Sequence, residues 1–371
     1  MNSRAFKFRP YELVQEFYNK GCFEPGPRSG HRMCCDESNL FVYGGYNFES
    51  ASDSHNLYKE ILSYNFVSRK WRKVNTNSNL DDKCPDELAS SSMIMFGNTL
   101  VVFGGTSYPF GMQCSNKVTL ISINYGGTYR IEELQTLNEE REQPPGQYGI
   151  LDFASQCWKL LALSRPEIDA DHPIGRYRHE IAIDERFIYI FGGGTADVVF
   201  DLKTIPVYDL KYNKWDKIST FPDPDQGYPN PRKCHSLVQH TIKDCDKTKE
   251  ETFIFIAGGN CHEGPLNDIW KMSLSSRQWI CFRQTSLRTS LFFHDACITP
   301  DGAMYIFGGI TTNLSRSNNL YKIWVKIPKL SVICWEAYLH YFPRIYRESR
   351  EFMLKSGIPI YFTNRVHNQC E

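Results

Sequence analysis

An apolar run ending in Gly-Gly recurs five times, and this repetition limits the fold more than any other feature. The runs are Leu40-Phe-Val-Tyr-Gly44-Gly45, Leu100-Val-Val-Phe-Gly104-Gly105, Ile188-Tyr-Ile-Phe-Gly192-Gly193, Phe253-Ile-Phe-Ile-Ala-Gly258-Gly259 and Met304-Tyr-Ile-Phe-Gly308-Gly309. Each reads as a buried strand bounded by a turn that needs glycine's access to positive φ. A second signature follows, an aromatic or apolar residue seven positions before a Trp: Tyr64 and Trp71, Leu151 and Trp158, Tyr208 and Trp215, Met272 and Trp279. Polar residues between them, such as Asp209-Leu-Lys-Tyr-Asn-Lys, mark a hairpin of two outer strands. Strand, buried strand, Gly-Gly and Trp hairpin make one unit, and such self-similarity is the mark of a repeat architecture.

Composition agrees with many short strands. Aromatics reach 14%, and 25 Gly with 19 Pro punctuate the 371 residues. The 42 basic and 42 acidic residues cancel, which argues against nucleic acid or an anionic membrane as partner, although a local basic pocket fits within a neutral total. The 13 cysteines are odd in number and contain no CxxC pair, so neither a zinc framework nor a secreted disulfide scaffold is expected. Most thiols read as small core residues in a reducing compartment. The first residues are polar with no apolar signal core, and no stretch reaches membrane-spanning length. The expected location is the cytoplasm, with the nucleus also open.

The repeated unit resembles the kelch repeat, whose blades are four-stranded sheets around a central channel. The resemblance implies an all-β kelch β-propeller over residues 25–328, preceded by a segment, 1–24, that supplies a ring-closing strand, and followed by a helical tail, 329–371. Spacings between successive Gly-Gly pairs are 60, 88, 66 and 50, so the second interval suits neither one blade nor two. Within it, 117–131 completes the second blade through an Asn124-Tyr-Gly-Gly127 turn, 144–149 looks like the start of a third blade and 150–158 like its end. We therefore expect six repeats with the third truncated; five blades and a long insertion is the rival reading. The last repeat lacks its Trp strand, and the alternating stretch 6–14 is the candidate replacement, because an open propeller would leave edge strands exposed.

From Pro328 the pattern turns helical: Leu330, Cys334, Tyr338 and Tyr341 share one helical face, Pro343 ends the helix, and 346–354 is a second amphipathic candidate stopped at Gly357 and Pro359. Leu330-x-x-x-Cys334 resembles the elongin-binding BC box, with Tyr338 at its aliphatic position and Lys329 where a small residue is usual. Phe342-Pro343, with Ile345 and Tyr346, resembles a cullin-2 box. Propeller and tail together resemble the kelch-repeat substrate receptors of cullin-2 RING ubiquitin ligases. That resemblance implies a non-catalytic adaptor bridged by elongins B and C, with no cofactor, which recognises the C-terminal ends of target proteins, often glycine-ending. Two other readings stay open: a kelch scaffold for signalling or cytoskeletal partners, whose tail is only packing, and a metal-dependent oxidoreductase.

A repeated position precedes each buried strand: His31, Ser91, His179, His235 and His294. Such recurrence suggests a structural role, with copper or iron ligation by converging histidines as the alternative. Beside these residues stand Arg28, Arg176, Arg178, Arg232 and Lys233, and propeller geometry brings such positions to one rim. Guanidinium groups suit a C-terminal carboxylate, and Tyr177, Phe292 and Phe293 could wall the residues before it. The expected substrate-binding set is Arg28, Arg176, Tyr177, Arg178, Arg232, Lys233, His235, Phe293 and His294. No dinucleotide loop, GxxxxGK[ST] or GxSxG motif is present, so no catalytic residue is expected.

Overall fold

A computed structural model describes residues 5–16, 23–48, 57–74, 85–86, 88–123, 129–134, 148–162, 172–243 and 250–367. The turn expected at 124–127 and residues 144–147 of the blade start expected at 144–149 lie outside these residues, while Tyr148 and Gly149 belong to the strand Tyr148–Asp152. The chain divides into two compact units: Met1–Glu133, His294–Ile310 and Leu314–Glu371 form one, Leu134–Phe293 and Thr311–Asn313 the other.

Five four-stranded antiparallel sheets of the kelch type are present among the described residues. In the first unit lie the first blade (Arg32–Cys35, Asn39–Tyr43, Ile61–Asn65, Lys70–Lys73) and the second (Ser92–Phe96, Thr99–Phe103, Val118–Ile123, Tyr129–Leu134). The fifth blade also belongs there, with Asp295–Ile298, Ala303–Phe307 and Leu320–Trp324 completed by Val14–Glu16 from the N-terminal segment. Val14 pairs with Lys322 and Glu16 with Leu320, so this sheet joins the two ends of the repeat region. The second unit holds the third blade (Glu180–Ile183, Phe187–Phe191, Thr204–Asp209, Lys214–Ser219) and the fourth (Ser236–Lys243, Glu250–Ala257, Asp268–Ser273, Trp279–Ser286). It also holds a lone hairpin, Tyr148–Asp152 with Cys157–Ala162.

The seven-residue spacing to Trp is a cross-strand register. Tyr64 faces Trp71, Tyr208 faces Trp215, Met272 faces Trp279, and in the lone hairpin Leu151 faces Trp158. Each hairpin bends through a left-handed residue two positions before the Trp: Arg69, Gln156, Asn213 and Arg277, with φ of 52°, 54°, 50° and 57°. Asn65, Asp152 and Asp209 each accept turn amides through a side-chain oxygen, which is why polar residues start these turns. The lone hairpin shares this register and turn chemistry with the outer pairs, and no inner pair accompanies it among the described residues.

Packing alternates with the strand period. Cys34, Phe41 and Tyr43 of the first blade bury against Leu100, Val102 and Ile121 of the second, while Met33, Leu40 and Val42 bury against Tyr305 and Phe307 of the fifth. On the second blade's other face Ile94, Phe96 and Phe103 are 61%, 80% and 39% exposed. The third blade likewise exposes Ile181 and Ile183, although its opposite face, with Ala182 and Phe191, is buried against the fourth.

The tail contains α1 (Leu330–Tyr341), α2 (Arg350–Lys355) and α3 (Ile360–His367). Pro343 follows the end of α1, and the second amphipathic stretch splits into a 3-10 turn, Ile345–Arg347, and α2, capped by Ser349. The third helix was not expected. Gly357 and Pro359 read as a stop, yet proline's fixed φ and missing N–H also suit the start of a helix, and here they precede one. No helix among the described residues is long and apolar enough to cross a membrane.

Candidate recognition site

The Gly-Gly pair lets neighbouring backbones touch. Gly44 has φ +64°, and a Cβ there would lie 2.2 Å from the carbonyl oxygen of Leu88 in the second blade. A Cβ on Gly45 would lie 2.9 Å from the Cβ of His31 in its own blade, and the Gly45 amide donates to Leu88 O at 2.9 Å. The Gly193 amide repeats this with Arg232 O at 2.9 Å, Gly259 with Leu291 O at 2.8 Å and Gly309 with Arg28 O at 2.8 Å.

The residue before each His or Ser is left-handed: Gly30, Ser90, Arg178, Cys234 and Phe293, with φ between 56° and 67°. Their backbones link successive blades. Ser90 N donates to Gly30 O at 2.8 Å, Cys234 N to Arg178 O at 3.0 Å and Phe293 N to Cys234 O at 3.0 Å. The histidines fill the space behind this link. His31, His235 and His294 are at most 4% exposed, and the His31 ring meets Phe307 edge-on at 5.3 Å. Burial, reinforced by the charge of Arg28, holds His31 far below the usual imidazole range, so it is neutral. No group of three His, Cys, Asp or Glu among the described residues is placed to hold a metal ion.

This geometry corrects the expected rim. Arg28 is fully buried: Nε donates to Gly26 O at 3.1 Å, Nη1 to Gly44 O at 3.0 Å and Nη2 to Glu60 Oε1 at 2.6 Å, with Tyr58 stacked on it at 3.9 Å. Arg232 repeats the pattern, donating to Asn230 O, Gly258 O and both oxygens of Asp268, at 3.0, 2.9, 2.7 and 2.8 Å. Both arginines are struts that brace their own blade, and burial removes them, with His235 and His294, from any exposed surface. The reason is sequence-distant: Glu60 and Asp268 supply the carboxylates. Arg176 starts the same pattern, donating to Ile174 O and Gly192 O at 3.3 and 3.2 Å, but it stacks on Phe200 at 3.8 Å and is only half-buried.

The residues left at the surface gather in the second unit. Arg178 is exposed and lies 4.5 Å from the Phe293 ring and 5.1 Å from Tyr177, which is 44% exposed. Lys233 lies 5.9 Å from Tyr177 on the same strip and donates to Thr195 O at 3.1 Å. Between them burial pushes the Cys234 thiol up to about 11, with Arg178 and Lys233 acting against it. Arg178, Lys233, Tyr177 and Phe293 thus make a cationic and aromatic patch, suited to a carboxylate beside an apolar group.

In the first unit the equivalent positions are small: Ser29, Gly30, Ala89 and Ser90. What stands there instead was missed from the sequence. Tyr108 stacks on Tyr46 at 5.8 Å, Phe110 meets Tyr46 edge-on at 4.9 Å, and Arg316 lies 4.9 Å from Tyr46 and 4.7 Å from Phe48. The available signal was position, since Tyr46 and Phe48 stand one and three residues after Gly45, and Tyr108 and Phe110 three and five after Gly105.

The tail has two faces. Val332, Trp335 and Leu339 of α1 are buried in the core shared by the first and fifth blades, and Glu336 pairs with Lys322 at 3.1 Å. The opposite side carries Leu330, 74% exposed, and Cys334, also exposed. Tyr338 is half-buried and stacks on Trp335 at 5.7 Å and on Phe342 at 4.8 Å; Phe342 and Pro343 are exposed, and Tyr346 lies under Lys70 at 4.7 Å.

Comparison with known proteins adds the family. The profile described as the KLHDC2/KLHL20/DRC7 Kelch-repeats domain matches residues 18–244 and 137–325. The kelch domain-containing protein 10 homologue of Drosophila melanogaster is 36% identical over 413 aligned residues, covering 98% of this chain and 66% of the relative. The Homo sapiens kelch domain-containing protein 10 is 34% identical over 383, covering 94% and 81%. Kelch domain-containing protein 2 of Bos taurus is more distant, 23% identical over 375, covering 85% of this chain and 86% of its own length. The Drosophila alignment exceeds the 371 residues present here, so that relative carries residues this chain lacks.

Proposed function

This chain belongs to the kelch domain-containing protein 10 family, and on that footing we propose that it is a non-catalytic substrate adaptor of a cullin-2 RING ubiquitin ligase. Its kelch blades bind protein, in this reading the C-terminal tails of targets, and its helical tail, 329–371, docks elongins B and C with cullin 2. The observation that carries the proposal is the division of α1. Three apolar residues seat the helix on the first and fifth blades, while Leu330 and Cys334, the residues that resemble the BC box, remain outside that core. Apolar groups left in water on an anchored helix are the ordinary form of a helix-in-groove docking face.

The target's terminal carboxylate is assigned to Arg178 and Lys233, with Tyr177 and Phe293 against its last side chains. Arg176 flanks them. A six-blade reading belongs with this function: the lone hairpin has the register of the outer pairs. The 42 or more additional positions in the Drosophila alignment are enough for an inner pair.

Co-purification from cells tests the adaptor. Wild type is expected to bring down elongins B and C, and Leu330→Asp with Cys334→Asp to lose them without a change in melting temperature. Retention by the double variant sinks the proposal and favours the scaffold reading, in which the tail only packs. Peptides with a free C-terminal carboxylate should bind better than their amides, and Arg178→Ala should remove the difference.

A further inference from the structure

We propose that Cys35 and Cys297 form an oxidisable latch, a disulfide site between the inner strands of the first and fifth blades. Alternation along Arg32–Cys35 turns Met33 and Cys35 toward the fifth blade and Cys34 toward the second. Met33 N donates to Asp295 Oδ2 at 2.7 Å, and Arg32 pairs with the same carboxylate at 3.6 Å, so the two inner strands are pinned side by side. Two residues further along each strand stand Cys35 and Cys297, both in the same apolar core cluster. Cys297 is 4% exposed and Cys35 half-buried, both in the core that seats α1, and no disulfide joins them here.

The oxidant is a peroxide. Cys35, the more accessible sulfur, attacks one peroxide oxygen; the O–O bond breaks, leaving a sulfenic acid on Cys35 and, with a proton, water. The Cys297 sulfur then attacks the sulfenic sulfur, the S–O bond breaks, and the Cys297 proton leaves with the hydroxide as a second water. Two thiols lose two electrons and two protons, and one hydrogen peroxide becomes two waters. Burial raises the Cys297 thiol well above the usual range, which makes this second step the slow one. The product covalently ties the first blade to the fifth, a contact otherwise held by packing, by Asp295 and by backbone hydrogen bonds such as that from Gly309 N to Arg28 O.

The test is titration of the full reduced chain with hydrogen peroxide, followed by intact mass, non-reducing peptide mapping and thermal melting. The expected result is a loss of about 2 Da, one linked peptide pair containing residues 35 and 297, and a melting temperature a few degrees higher, all reversed by dithiothreitol. Cys35→Ser, at the half-buried position, should abolish the link and the shift, while Cys34→Ser should leave both. A Cys34–Cys35 link, an intermolecular link, or over-oxidation of Cys35 with Cys297 still a thiol would each overturn the proposal. A folded Cys35→Ser that keeps the thermal shift would overturn it as well.

Discussion

Arg232→Ala tests whether the buried arginines are struts or ligands. In the native fold the guanidinium is fully buried and makes four hydrogen bonds, two of them to Asp268. Truncation leaves the Asp268 carboxylate and two backbone carbonyls without their donor. Breaking a buried pair from one side costs about 3–5 kcal/mol. Asp268 is 27% exposed and keeps a hydrogen bond from Trp270 Nε1 at 2.7 Å, which places the expected loss at the lower end, about 3 kcal/mol. Replacing both partners, as Arg232→Met with Asp268→Leu, should recover most of it, because no charge is then abandoned. Urea denaturation of the wild type, both single variants and the double variant closes the cycle. If Arg232→Ala melts within about 0.5 kcal/mol of wild type but loses peptide binding, the arginine is a ligand group and the strut assignment is wrong.

Three further outcomes follow from the geometry. Gly44→Ala should cost about 3 kcal/mol, since it adds left-handed strain to a Cβ placed 2.2 Å from Leu88 O, whereas Gly97→Ala, also left-handed but with open space around it, should cost about 1 kcal/mol; thermal melts decide. Trp335→Ala should cost about 3–5 kcal/mol and expose the tail to limited proteolysis, because the indole is buried and stacks on Phe362 at 4.9 Å; a protease-resistant variant would refute the seating of α1. Asp223 is held down to about 2: burial works against ionisation, but the amides of Cys281, Asp225 and Gln226 and the Arg283 side chain outweigh it. A lowered carboxylate stabilises the fold above its unfolded pKa and loses that contribution as pH falls through the native one, so stability should drop between about pH 4 and 2. Asp223→Asn should flatten that part of the pH–stability curve, and an unchanged slope would show that other groups set it.

The features legible in the chain are those decided by neighbours in sequence. Gly-Gly after an apolar run, Trp seven residues past its partner and an Asx turn between them are local requirements of strand, turn and register, so the five blades and the hairpin pairing of Leu151 with Trp158 could be read directly. The same locality explains α1, whose period needs no partner to be seen. Which side of α1 stays in water was not local, because Val332, Trp335 and Leu339 are claimed by blades at opposite ends of the chain. The arginines divided for the same reason. Arg28, Arg176 and Arg232 stand at one repeat position, yet Arg28 and Arg232 are buried against Glu60 and Asp268, 32 and 36 residues away, while Arg176 stacks on Phe200. A charged side chain reads the same in either setting. Only the fold determines whether its counter-charge lies beneath it in the protein or has to come from a partner, because burying a charge is tolerable only when that partner is already in place.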